Sequence, residues 1–100
     1  MEQQQRETRR RVRKKTYEPD MLKVVLLNDD VTTFDFVIRL LMEIFYYTQE
    51  RAASLAVTVD REGRGEVGVY PADIAMSKAE VATQMARSNN FPLRIITENA

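Results

Sequence analysis

Residues 22 to 36 read LKVVLLNDDVTTFDF, and the reading of this stretch decides the fold. Leu22-Lys23-Val24-Val25-Leu26-Leu27-Asn28 has the near-continuous apolar, β-branched composition of a strand covered on both faces, which predicts a central strand over residues 22–28. The strand breaks off into Asn28, Asp29 and Asp30. Thr32 with Asp35 three positions later makes a capping-box pattern, and Phe34, Val37, Ile38, Leu41, Ile44 and Phe45 recur at helical spacing. A helix over residues 33–46 is therefore expected. An amide and two carboxylates between strand and helix have two readings. They form a turn whose side chains satisfy their own backbone and favour the helix N-terminus, or they form a binding site. Composition alone leaves both open.

Working outward, Thr48 is placed to cap a second helix in which Ala52, Leu55, Ala56 and Val59 fall at i, i+3, i+4 and i+7, and which Gly63 and Gly65 end. Glu66 to Tyr70 alternates as a strand that Pro71 stops. Ser77 with Glu80 repeats the capping box ahead of Val81 and Met85, so a third helix is expected over residues 77–89, halted at Asn89-Asn90. Pro92 then admits a last strand from Leu93 to Thr97. The order β-α-α-β-α-β in so short a chain predicts a single α+β domain over residues 21–100, with three helices packed on a small antiparallel sheet.

Bulk properties narrow the function. The 100 residues contain no cysteine and no histidine, which removes disulfides, thiolate chemistry and the commonest general base and metal ligand. No EF-hand loop, phosphate-binding glycine loop or nucleophile elbow is present, so neither an enzyme nor a metal site is expected. Net charge is zero, but residues 1–16 carry seven Arg or Lys against two Glu, a net +5, and residues 17–100 carry eight against thirteen, a net −5. Residues 1–20 are accordingly read as a disordered basic N-terminal extension on an acidic body. That arm raises the alternative of a small nucleic-acid-binding domain, which the acidic body would oppose by repelling phosphates. No apolar run reaches membrane-spanning length and no secretory signal is visible, so the expectation is a cytoplasmic monomer without membrane or nucleic-acid partners.

Three separated segments, LKVVLLNDDVTTFDFV (22–37), EGRGEVGVYPADIAMSKAEV (62–81) and ARSNNFPLRIITE (86–98), resemble the ClpS family of adaptor proteins in order and spacing. The resemblance implies a ClpS-like fold and an adaptor without cofactor or catalytic residues. Such an adaptor recognises proteins that begin with a bulky hydrophobic residue (Leu, Phe, Tyr or Trp), an N-degron, and delivers them to a Clp AAA+ unfoldase and its peptidase. By this match Asn28, Asp29, Asp30 and Asp60 hold the substrate's α-amino group. Thr32, Phe34, Val37, Ala56, Val59 and Leu93 wall the side-chain pocket, and Asp73 and Lys78 dock on the unfoldase's N-terminal domain. The basic arm would be engaged by the unfoldase during hand-over. Two residues depart from the family pattern: Asp60 stands where a His is usual, and Phe34 where Met is common. They suggest altered specificity, and Asp29 and Asp60 are expected to repel one another in the empty pocket.

Overall fold

A computed structural model describes residues 20–100; of the basic extension read over residues 1–20, all but Asp20 lies outside that range. The elements follow in the expected order: β1 (Met21–Leu27), α1 (Phe34–Phe45), α2 (Gln49–Glu62), β2 (Arg64–Pro71), α3 (Ala72–Ser88) and β3 (Arg94–Asn99). The strand read from the opening stretch is the middle of a three-stranded antiparallel sheet of order β2-β1-β3. Its consecutive Val24, Val25 and Leu26 are fully buried, as an inner strand requires. Pairing of Leu27 with Arg64 on one side and Arg94 on the other carries β1 to the sheet's end, so Asn28 emerges beside the last turn of α2.

The cap of α1 differs from expectation. Thr33, not Thr32, is the N-cap: the Phe36 N–H donates to Thr33 Oγ1 at 3.2 Å, because the Thr32 hydroxyl is committed to Asp29. The buried stripe of α1 is Phe36, Val37, Leu40, Leu41 and Phe45, whereas Phe34, assigned to that stripe, is 44% exposed. Tyr46 ends the helix in the left-handed region at φ 58° with 82% of its surface exposed. At α2 the reading holds. The Arg51 N–H donates to Thr48 Oγ1, and Gly63 terminates the helix at φ 85°.

The largest correction concerns α3, which starts at Ala72 and not at Ser77. Pro71 was read as a strand stop, yet its fixed φ equally suits a helix entry. The first turn is tied down from outside, by the Ala72 N–H donating to the Asp20 carbonyl at 2.8 Å, so Ser77-Glu80 sits inside the helix as a capping pattern with nothing to cap. Val81, expected to be core, is 49% exposed. Ala75, Ala79, Ala82 and Ala86 form the buried face instead, a row of small side chains that brings the helix backbone close to its neighbours.

A second close approach seats α2. A Cβ placed on Gly65 would lie 2.8 Å from both Leu55 Cδ1 and Val59 Cγ2, so β2 meets α2 with no room for a methyl group. Gly65→Ala is expected to cost about 1–3 kcal/mol by overpacking, read as a lower urea midpoint at unchanged m-value.

Candidate functional site

The loop between β1 and α1 is shaped by one carboxylate. Asp29 Oδ1 accepts from the Val31 and Thr32 N–H groups at 2.8 and 2.7 Å, and Oδ2 accepts from the Thr32 hydroxyl at 2.7 Å. The Asn28 N–H donates to the Gly63 carbonyl at 2.9 Å, which binds the start of the loop to the end of α2. Burial pushes the Asp29 pKa up, but the Thr32 hydroxyl, the Thr32 and Val31 N–H groups and the charge of Arg87 outweigh it and hold the carboxyl below its ordinary 3.8.

Around the loop lies a cleft of about 280 Å³ lined by Asn28, Asp29, Asp30, Thr32, Phe34, Val37, Ala56, Val59 and Asp60. Its floor is apolar. Val37 comes from α1, and Ala56 and Val59 from one face of α2; all three are buried, and Asp60 continues the α2 face to the surface. Asn28, Asp30, Phe34 and Asp60 are exposed around the mouth, with Asp29 and Thr32 half-buried between rim and floor. No Lys or Arg lines the cleft among the described residues. A hollow with a greasy base and a rim of oxygen acceptors suits a small cation that carries an apolar group.

One residue assigned to the pocket wall is placed elsewhere: Leu93 is fully buried within the core that also holds Val37, Ala56 and Val59, and it supports the floor without lining the cleft. Asp73 and Lys78 belong to a different surface. Asp73 stands in the first turn of α3. Lys78 Nζ donates to the Ile44 carbonyl at 3.1 Å and lies 5.1, 5.6 and 5.7 Å from the ring centroids of Tyr46, Tyr70 and Phe45, a geometry that holds an ammonium by cation–π attraction. The sequence reading missed Arg87, whose Nη1 donates to the Phe91 and Leu93 carbonyls at 3.0 and 2.7 Å. An Arg in the last turn of a helix is too common a feature to have signalled that role. Among the described residues no cluster of three or more acidic, His or Cys side chains could hold a metal ion, and no helix is long and apolar enough to cross a membrane.

Comparison with known proteins adds to this geometry. The family model for the ATP-dependent Clp protease adaptor protein ClpS matches residues 17–96. The chain is 46% identical over 81 residues to the ATP-dependent Clp protease adapter protein ClpS of Helicobacter hepaticus, covering 81% of this chain and 82% of that one. It is 49% identical over 80 residues to the ClpS of Nautilia profundicola, covering 80% and 82% of the two chains. Among solved structures, Agrobacterium tumefaciens ClpS2 bound to L-phenylalaninamide superposes with a TM-score of 0.81 at 36% identity, over 83% of this chain and 100% of that one. These relatives lend no support to the nucleic-acid alternative.

The depressed pKa of Asp29 has a stability consequence with a definite sign. A carboxyl whose folded pKa lies below its unfolded value stabilises the fold above that unfolded value, near 3.8, and loses the contribution as pH falls through the folded pKa. Asp29→Asn should therefore narrow the stability gap between pH 6 and pH 2. Thr32→Val, which removes the hydroxyl donor, should move the Asp29 titration upward in a carboxyl-carbon NMR experiment.

Proposed function

The chain belongs to the ClpS family of Clp protease adaptors and is not an enzyme; from this premise we propose that it captures proteins by a bulky hydrophobic first residue and its free α-amino group. The observation that carries the reading is a cleft in which an apolar floor meets a rim of Asn28, Asp29, Asp30 and Asp60, with no lining cation among the described residues. The α-ammonium, with a reference pKa of about 7.7 to 8.0, sits among the rim acceptors. Asp29 already accepts three hydrogen bonds of the roughly four its oxygens can take, so Oδ2 retains a lone pair for the incoming donor. A unit charge pair at about 4 Å is worth roughly 4 kcal/mol at an effective dielectric of 20, before desolvation. Acetylation removes that charge.

The first side chain enters between Thr32, Phe34, Val37, Ala56 and Val59, above Leu93. The cleft is slightly smaller than the roughly 300 Å³ at which drug-sized pockets begin, which fits one residue and not a longer segment. The ligand of the Agrobacterium relative, L-phenylalaninamide, combines the same two groups, an α-amine and a hydrophobic side chain. Asp60 at the rim accepts from the ammonium but, when ionised, offers no donor to the first peptide carbonyl. Phe34 at the mouth sets a stiff ring where the family commonly has a flexible Met, and both differences tune which first residues are preferred. A separate surface, with Asp73 and the ring-held Lys78, docks on the N-terminal domain of a Clp AAA+ unfoldase. The basic N-terminal arm is gripped during hand-over, and the adaptor works as a cytoplasmic monomer.

Calorimetry with a Leu-starting peptide should show affinity at least about 100-fold higher for the free amine than for its Nα-acetylated form, consistent with a loss of about 2.7 kcal/mol or more. Affinity should hold level between about pH 5 and 7 and fall as the amine deprotonates above about pH 8. Acid should weaken it as Asp29, whose carboxyl is held below its ordinary 3.8, titrates. Equal affinity for the acetylated peptide would falsify the capture reading.

Lys78→Ala should leave peptide affinity within about twofold and reduce unfoldase binding by about tenfold, the scale of losing a charge held at an interface. Size-exclusion of the adaptor with the isolated unfoldase domain measures it.

A further inference from the structure

The polar groups of the capture cleft are nearly all acceptors. Asp29, Asp30 and Asp60 bring three carboxylates to a hollow of about 280 Å³, and no Lys or Arg lines it among the described residues. Thr32 carries a hydroxyl, but its proton is committed to Asp29 Oδ2 at 2.7 Å. The Val31 and Thr32 N–H groups are held by Asp29 Oδ1, and the Asn28 N–H by the Gly63 carbonyl. Asn28 is left as the one lining side chain with a donor to offer.

This imbalance acts on whatever stands next to a bound ammonium. In an amino acid the α-nitrogen and the carboxyl carbon share one Cα, which fixes them about 2.5 Å apart. A ligand whose nitrogen sits among Asn28, Asp29, Asp30 and Asp60 therefore holds its neighbouring group in the field of the same three negative charges. A carboxylate there is repelled, and no lining cation offsets the repulsion. An amide carbonyl is neutral and gains at most the Asn28 donor. With no carbonyl at all, a ligand keeps the ammonium and the apolar floor and forgoes only that one neutral hydrogen bond.

We propose that the cleft is a site for apolar primary amines as a class: an arylalkyl amine without a carbonyl competes with a captured chain, and the free amino acid of the same side chain is excluded. This rests on the capture reading above and reduces its chemistry to an ammonium and an apolar group with no negative charge beside them. L-phenylalaninamide, the ligand of the Agrobacterium relative, meets that description, as does the first residue of a polypeptide. Free leucine and phenylalanine, end products of complete proteolysis, do not. They would leave the cleft open to chain beginnings.

Displacement of a fluorescent Leu-starting peptide, followed by anisotropy at about pH 6.5 where the amines are protonated, tests the class. The competitors are L-phenylalaninamide, phenethylamine and L-phenylalanine. Phenethylamine should compete within about tenfold of L-phenylalaninamide, the scale of one neutral hydrogen bond. L-phenylalanine should be weaker than its amide by about thirtyfold or more, and this gap should narrow as salt screens the rim. Asp60→Asn, a change at an exposed position, should weaken both amines and narrow the gap by about threefold. Phenethylamine more than about tenfold weaker than the amide overturns the proposal. So does L-phenylalanine competing as well as its amide, or a gap that neither salt nor Asp60→Asn narrows. The capture reading is judged separately, by the peptide itself: equal binding of its free and acetylated forms overturns that reading, whatever the small amines do.

Discussion

The three hydrogen bonds that Asp29 accepts from Val31 and Thr32 are the constraint on which the architecture of the site depends. They close the turn between β1 and α1, and they take the Thr32 hydroxyl out of competition for the helix cap, which passes to Thr33. Keeping the carboxyl ionised follows from the same bonds, since hydrogen bonds to the charged form lower a pKa against the opposing effect of burial. The two readings of the Asn28-Asp29-Asp30 stretch, turn and recognition site, thus need not exclude one another. A carboxylate already committed to its own backbone is rigid, and rigidity limits the entropy a ligand must overcome on binding.

The other half of the cleft is positioned by packing. The absence of a side chain at Gly65 lets α2 settle on β2, and the Asn28 N–H meets the carbonyl of Gly63 at the end of that helix. Ala56 and Val59 are thereby set as floor and Asp60 as rim. On the proposed capture, a floor made of core residues lets the same side chains stabilise the fold and accept the ligand. It also means that pocket mutations act on stability and recognition together. Phe34 and Asp60, exposed at the mouth, can be changed with less damage to the core than the buried floor.

Separation of surfaces suits an adaptor. The acidic cleft is built at the β1–α1 loop and the last turns of α2, whereas Lys78 is held by Phe45, Tyr46 and Tyr70 and the Ile44 carbonyl on the surface formed by α3 and the end of α1. A cation clasped this way is presented outward with little freedom left to lose, and Tyr46, in a left-handed conformation that non-glycine residues rarely adopt, supplies one of the rings. Under the proposed function, one face for cargo and another for the unfoldase would let both be occupied together.

Local chemistry in the chain determined the order of the elements, the inner strand β1, the Thr48 cap and the Gly63 stop, because periodicity and capping report on groups only a few residues apart. It also supplied the residue types that nine positions bring to one cleft, though there only the family resemblance distinguished a pocket floor from ordinary core. The tertiary structure alone decided the start of α3, the choice of Thr33 over Thr32, the burial of Leu93 beneath the cleft and the bridging position of Arg87. In each case the deciding partner is one that local capping or periodicity does not identify: the Asp20 carbonyl for Ala72, the Asp29 carboxylate for Thr32, the assembled core for Leu93, and the turn carbonyls beyond α3 for Arg87. A capping motif such as Ser77-Glu80 is silent when a carbonyl from elsewhere in the chain has already begun the helix.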